Sequence, residues 1–146
     1  MQPTIHLDFA AILVAVLSNL VLGGLWYGPM FGGTWAKLVG MDISKKPPAS
    51  AMVRGYVMMV VGAFLTAYVL AHSAEVWRPS SWGLQGDAPA WTYGVMSAGF
   101  TWVGFYLPVL SGSVAWEGKS WKLFAINAAY YFVALQIMGA ILAFWR

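Results

Sequence analysis

No cysteine occurs among the 146 residues, which excludes disulfides, thiolate metal sites and dithiol redox chemistry. Charge is nearly as scarce: Asp, Glu, Lys and Arg make up 9% of the chain, where an average soluble domain has about 25%. The few charges are clumped and leave four uncharged windows, 9–36, 55–74, 88–116 and 123–145. No carboxylate or amine stands near the middle of any window, and ion or proton paths through a bilayer depend on such groups. A proton-coupled exporter built on a buried carboxylate is therefore not expected. A nucleophile elbow, a Gly-rich phosphate loop, an HExxH pair and paired carboxylates are also missing. No enzyme chemistry and no cofactor are expected.

What the chain has in abundance is apolar surface, with 60% hydrophobic residues and a mean hydropathy of +0.68. Each uncharged window supplies the roughly 20 residues that cross a hydrocarbon core about 30 Å thick. The expected fold is an all-α bundle of four transmembrane helices, with 1–146 forming a single integral membrane domain. The spans are expected over 8–28, 51–73, 90–113 and 123–145, with an interfacial segment over 30–41. MQPTIHLD, ahead of the first span, lacks the basic region of a secretory signal, so that span is expected to be retained.

The net charge of +3 is an orientation signal here, and no nucleic-acid partner is expected. Lys37, Lys45, Lys46 and Arg54 border the first loop and Lys119 and Lys122 the third, whereas Arg78 and Arg146 are alone on the other side. By the positive-inside rule both termini face outward, on the periplasmic side. Trp35, Trp116 and Trp121 fall near the inner boundary and Trp77, Trp82, Trp91 and Trp145 near the outer one, where indole rings favour the headgroup level.

The stretch GGLWYGPMFGGTW, residues 23–35, closes the first span. Gly28-Pro29 is expected to end or bend the helix, because proline lacks an N–H and crowds the preceding backbone. Gly23 and Gly24 suit close helix contact, and Trp26, Tyr27, Phe31 and Trp35 suit the interface. In the second span Ala63, Ala67 and Ala71 recur every four residues and form a small-residue face. Gly94, Gly99, Gly104, Pro108 and Gly112 make the third span the one to kink, with the proline ring set against the carbonyl of Gly104. A broken helix needs partners for its freed backbone groups, so this span is expected inside the bundle. The seven-residue link WEGKSWK makes the last two spans antiparallel neighbours. A faint internal echo pairs Gly24-Leu25-Trp26 and Pro29 with Phe100-Thr101-Trp102 and Pro108.

Polar groups within the spans are few. Counted at 1.5 Å per residue from the inner boundary, Asn19 lies about 13 Å deep and Asn127 about 7 Å deep on oppositely directed helices. The two amides could meet in an interhelical hydrogen bond, or form the polar floor of a lipid or ligand groove with Trp26, Tyr27 and Tyr130. Gln136 is a third amide. His6 and His72 both fall at outer helix ends, which makes them candidates for pigment or haem ligation, but no carboxylate completes a metal sphere and no metal site is expected. Met52, Met58 and Met59 read as packing filler. Ser18, Thr66, Ser97 and Thr101 can each bond a carbonyl one turn back.

The segment NLVLGGLWYGPMFGGTWAKLVG, with Asn19, Gly23, Trp26, Tyr27, Phe31, Gly32 and Trp35, resembles the start of the bacterial membrane family catalogued as domain of unknown function 1761. The stretch 101–145, with Asn127, Tyr130 and Gly139, resembles its end. The resemblance implies four spans and a bacterial inner (cytoplasmic) membrane, and carries no biochemical activity. The expected function is a non-catalytic accessory or structural subunit of a larger membrane complex, using the small-residue face of the second span or the aromatic surfaces of the last two. The alternative is a homo-oligomeric transporter or channel. The expected partners are the lipid bilayer and other membrane subunits or further copies of the chain.

Overall fold

The computed structural model describes residues 2–145. Helix α1, Phe9–Leu25, starts at Asp8, whose Oδ1 accepts from the N–H groups of Ala10 at 2.8 Å and Ala11 at 3.1 Å. Two of the donors that every helix start leaves unpaired are thereby satisfied. Gly28-Pro29 bends the span without ending it. Gly28 leaves helical geometry at φ −101°, ψ −108°, so Trp26–Met30 is a kink joining two helical segments, spanned by the N–H of Phe31 closing on the carbonyl of Trp26 at 2.8 Å. The short helix α2, Gly32–Val39, occupies the segment expected at the interface. It ends at Gly40, where φ is +72° and Met41 N–H returns to the Ala36 carbonyl at 2.8 Å, the glycine stop of a Schellman cap.

Helix α3, Ala49–Val76, is longer at both ends than the hydropathy window, and its 28 residues run about 42 Å. A single 3₁₀ turn, Pro79–Trp82, follows it. The third span is α4, Ala90–Thr101, a π turn, Trp102–Tyr106, and α5, Leu107–Ala115. Helix α6, Trp121–Phe144, is N-capped by Ser120, whose Oγ accepts from Leu123 N–H at 3.2 Å. The four spans are thus Phe9–Met30, Ala49–Val76, Ala90–Ala115 and Trp121–Phe144, each long and apolar enough to cross a membrane. Both termini lie at one end, where Thr4 N–H bonds the Ser81 carbonyl at 2.7 Å and His6 and Trp145 border the same hollow. The opposite end carries the lysine-rich loops. Arg146, counted among the charges above, lies outside the described residues.

The core is built on α6. It crosses α4 where Gly94 faces Gly139, so closely that a Cβ on either would strike the other's backbone carbonyl. The alanine face of α3 packs inward: Ala63, Ala67 and Ala71 are buried in one cluster with Ile12, Ala15 and Val16 of α1 and Leu135 and Met138 of α6. That face is spent inside the bundle and is not available to a partner, contrary to the expectation for it. The third span also departs from expectation, because no residue of its π turn or of α5 is buried. A π turn satisfies its own backbone with i→i+5 bonds, here Leu107 N–H to the Trp102 carbonyl, so the break does not require enclosure. Below Ala63 the packing of α3 stops. Every residue from Met52 to Gly62 is exposed, so the half of α3 toward the lysine-rich end stands away from the bundle.

Candidate functional site: a tyrosine-lined cleft

Helices α1 and α6 run antiparallel and exchange polar groups crosswise. Tyr130 Oη donates to Asn19 Oδ1 at 2.7 Å, and Tyr27 Oη donates to Asn127 Oδ1 at 2.9 Å. Between them Trp26 Nε1 donates to the Ile126 carbonyl at 3.2 Å. The two amides therefore do not bond each other. Their depths differ by about four residues of rise, and each finds a tyrosine at its own level on the facing helix. Trp26 is 9% exposed and packs against Ile126, Tyr130 and Ala134. It is a core residue, not the interfacial anchor expected from its position.

The stand-off of α3 opens a cleft of about 610 Å³ between α1, α3 and α6. Asn19, Gly23, Gly24 and Tyr27 form one wall, Tyr130 and Tyr131 the back, Tyr106 a corner, and Tyr56, Met58, Met59 and Thr66 the α3 side. The methionines expected to fill packing gaps thus stand exposed, at 69% for Met58 and 39% for Met59, because the helix half that carries them leaves the bundle. Gly24 lines the open space and touches no facing atom within 4 Å, whereas a Cβ at Gly23 would meet the Tyr130 hydroxyl at 3.1 Å. Close contact holds at only one of the two.

An unbroken series of rings runs from Trp35, outside the cleft, through the tyrosines that line it. Trp35, Tyr27, Tyr130, Tyr131 and Tyr106 follow one another with centroid separations of 5.5, 5.0, 5.1 and 4.7 Å. Tyr106 Oη lies 3.2 Å from Thr66 Oγ1, which ties the third span to α3 where α3 begins to diverge. Thr66 thus pairs with another span, while Ser18 bonds one turn back to Ala15 as expected. No charged side chain borders the cleft. Among the described residues the Asn19 amide NH₂ and the Tyr131 hydroxyl make no hydrogen bond, neither atom is fully buried, and both residues line the cleft.

Of the residues singled out from sequence, Asn19, Tyr27 and Tyr130 line the cleft, Trp26 lies behind it, and Asn127 holds Tyr27 from outside. Tyr56, Tyr106 and Tyr131 also line the cleft without having been singled out, and Thr66, expected to bond its own helix, lines it too. The signal available for them was a phenol or hydroxyl inside an otherwise apolar span. His6 and His72 are not gathered at one site. His6 borders a second hollow of about 430 Å³ at the terminal end, while His72 Nδ1 lies 3.3 Å from the Tyr68 carbonyl of its own helix. No group of three His, Asp or Glu side chains among the described residues is placed to hold a metal. The same end holds an ion pair read from sequence only as loop charge. Glu75 and Arg78, both buried, approach to 3.2 Å, and the guanidinium lies 5.0 Å above the Tyr93 ring. In the adjoining loop Asp87 accepts from Ser80 N–H at 2.8 Å and Ser80 Oγ at 2.7 Å, and these bonds hold its carboxyl below the usual range.

A four-span helical bundle with a lateral cleft between its spans defines the chain as a polytopic membrane protein by architecture. The family described as Protein of unknown function (DUF1761) matches residues 10–143, nearly the whole chain, and the protein belongs to that family. No curated protein and no solved structure matches it.

Proposed function

We propose that the protein is a non-catalytic binding protein of the bacterial inner membrane, which takes a lipophilic small molecule laterally from the bilayer into the cleft between α1, α3 and α6. The observation that carries this reading is the cleft itself. Its volume of about 610 Å³ falls within the roughly 300–1,000 Å³ of small-molecule sites, and it combines aromatic walls with a few polar groups. The positive-inside bias supports a cleft in the cytoplasmic half of the membrane with both termini toward the periplasm.

Gly24 and Gly62 both line the cleft, and a Cβ added to either meets no atom within 4 Å. Gly24→Leu with Gly62→Leu therefore adds bulk to the cleft from two positions where the Cβ enters open space. The protein extracted from its own membranes in polymer discs is expected to carry a bound small molecule by native mass spectrometry, and the double variant is expected to lose it. A folded double variant with an unchanged bound complement would overturn the proposal.

The accessory-subunit reading has its own support in the aromatic surface of the last two spans, where Phe100, Phe105 and Phe144 stand about 70% exposed. The same mass spectrum tests it: a fixed stoichiometry with another polypeptide favours a subunit role. A transporter reading requires further copies, because the half of the bundle toward the termini is packed by Ile12, Ala15, Leu70 and Leu135, each at most 1% exposed.

A further inference from the structure

Resting on the reading of the cleft as a lipophile site, we infer that its occupant is a lipid-soluble molecule with a neutral, planar head bearing carbonyl oxygens, the chemistry of a quinone, and an apolar tail that leaves past the free half of α3. Four features converge on this class. With no charged side chain at the cleft, neither an anionic nor a cationic head finds a counter-charge, and an uncompensated ion in such a place is costly. The polar groups without protein partners, the Asn19 amide NH₂ and the Tyr131 hydroxyl, are both able to donate, so they call for an acceptor. The Asn19 oxygen is already taken by Tyr130, and the Tyr27 proton by Asn127. A ligand that only donated would leave the amide hydrogens unpaired.

Shape supplies the other two features. Tyr27, Tyr130, Tyr131 and Tyr106 form a wall of rings, and the thioethers of Met58 and Met59 face it from α3. Aromatic rings, which pair edge-to-face or offset with another ring, and polarizable sulfur both favour a flat conjugated group over a branched aliphatic one. The exposed stretch Met52–Gly62 leaves the side of the cleft open along three turns of helix, which gives an isoprenoid or alkyl tail a path into the bilayer.

The test compares two probes of equal tail length in detergent micelles, decylubiquinone and decylbenzene, each titrated against the unfolding temperature of the purified protein. Ligand that binds only the folded state raises that temperature in proportion to its affinity. Decylubiquinone is expected to bind and decylbenzene to bind far more weakly. Tyr131→Phe, which removes a hydroxyl with no protein partner, is expected to weaken decylubiquinone threefold to tenfold, the worth of one neutral hydrogen bond, and to leave decylbenzene unchanged. Asn19→Leu is expected to weaken it further. Equal binding of the two probes, unaffected by Tyr131→Phe, would overturn the head-group assignment and leave the lipophile reading standing. Binding of neither probe, while Gly24→Leu with Gly62→Leu still strips the native occupant, would do the same. Loss of response from both probes and from the double variant would remove the cleft reading itself.

Discussion

At the scale of single residues, the bundle is fixed by a small number of polar exchanges and one backbone crossing. Within hydrocarbon an unpaired carbonyl or hydroxyl has no water to turn to, so the Tyr130–Asn19 and Tyr27–Asn127 bonds set both the rotation and the register of α1 on α6. Tyr27→Phe removes only a hydroxyl and leaves the Asn127 oxygen unpaired. It is expected to cost about 0.6–2 kcal/mol in reversible unfolding from micelles, with Asn19→Leu in the same range through the stranded Tyr130 hydroxyl. Stability unchanged in both would mean the exchange has no hold on register. The Gly94–Gly139 crossing makes a sharper case, because the atom each Cβ would strike is backbone and cannot rotate away. Gly139→Ala is expected to destabilise by about 1–3 kcal/mol. Gly55→Ala, on an exposed turn of α3 with nothing within 4 Å, is expected to be neutral or to gain up to about 1 kcal/mol from helix propensity. The sequence made Asn19 and Asn127 visible as polar groups in apolar spans, but not their partners. Which tyrosine each amide meets depends on how far α1 and α6 slide past one another, and hydropathy carries no record of that.

At the scale of elements, the repeated feature is a wide turn closed by an i→i+5 bond, a kink at Gly28 in the first span and a π turn in the third. Trp26 and Trp102 each open one, each carbonyl accepts from the N–H five residues on, and each indole donates to a carbonyl of α6, Ile126 for the first and Ala128 for the second at 2.8 Å. The internal echo in the sequence is therefore a structural likeness between the first and third spans. Pro29 lies within its turn and Pro108 just beyond its own, so the shared element is the tryptophan and the extra residue, not the proline. Pro108→Ala restores an N–H that can reach the Gly104 carbonyl one α turn back, and is expected to slow amide exchange over residues 104–108 as the turn relaxes toward α geometry. Unchanged exchange would assign the π turn to the Trp102–Ala128 bond alone. The outer connection gives a pH-dependent case. The bonds from Ser80, and Arg78 nearby, keep the Asp87 carboxyl ionised to a lower pH than in an unfolded chain. Its support of the loop is therefore complete above the ordinary carboxylate pKa of about 3.9 and is lost as pH falls through the lowered value. Protease cutting within 79–87 is expected to rise only at that acid limit in the native protein, and to be raised at neutral pH in Asp87→Asn.

At the scale of the whole molecule, four spans, their order and the antiparallel pairing of the last two were legible because each needs only length, apolarity and a short link. The cleft was legible only as a groove beside Asn19, Tyr27 and Tyr130; its α3 wall was not, because that depends on one helix packing along half of its length. Ala63, Ala67, Leu70 and Ala71 present small or well-fitted side chains to α1 and α6, whereas Val53, Tyr56, Val57, Val60 and Val61 present bulk, and Met58 and Met59 interrupt the face that Gly55 and Gly62 share. The change from alanine spacing to a run of valine and methionine was in plain view. Its meaning as a parting of helices emerges only when the other spans are in place. The absence of native cysteine makes the parting measurable, since a cysteine introduced at any position is the sole thiol for a nitroxide label. Oxygen accessibility of labels in lipid bilayers is expected to be uniformly high from 52 to 62, then to oscillate with the helical period from 63 to 74, low at 63, 67, 70 and 71 and high at 65 and 69. Addition of the native occupant is expected to lower accessibility at 58 and 59, which line the cleft, and to leave 53 and 57 unchanged. A helical oscillation running through 52–62 in the empty protein would mean that α3 packs along its full length, and the cleft would not exist in the bilayer.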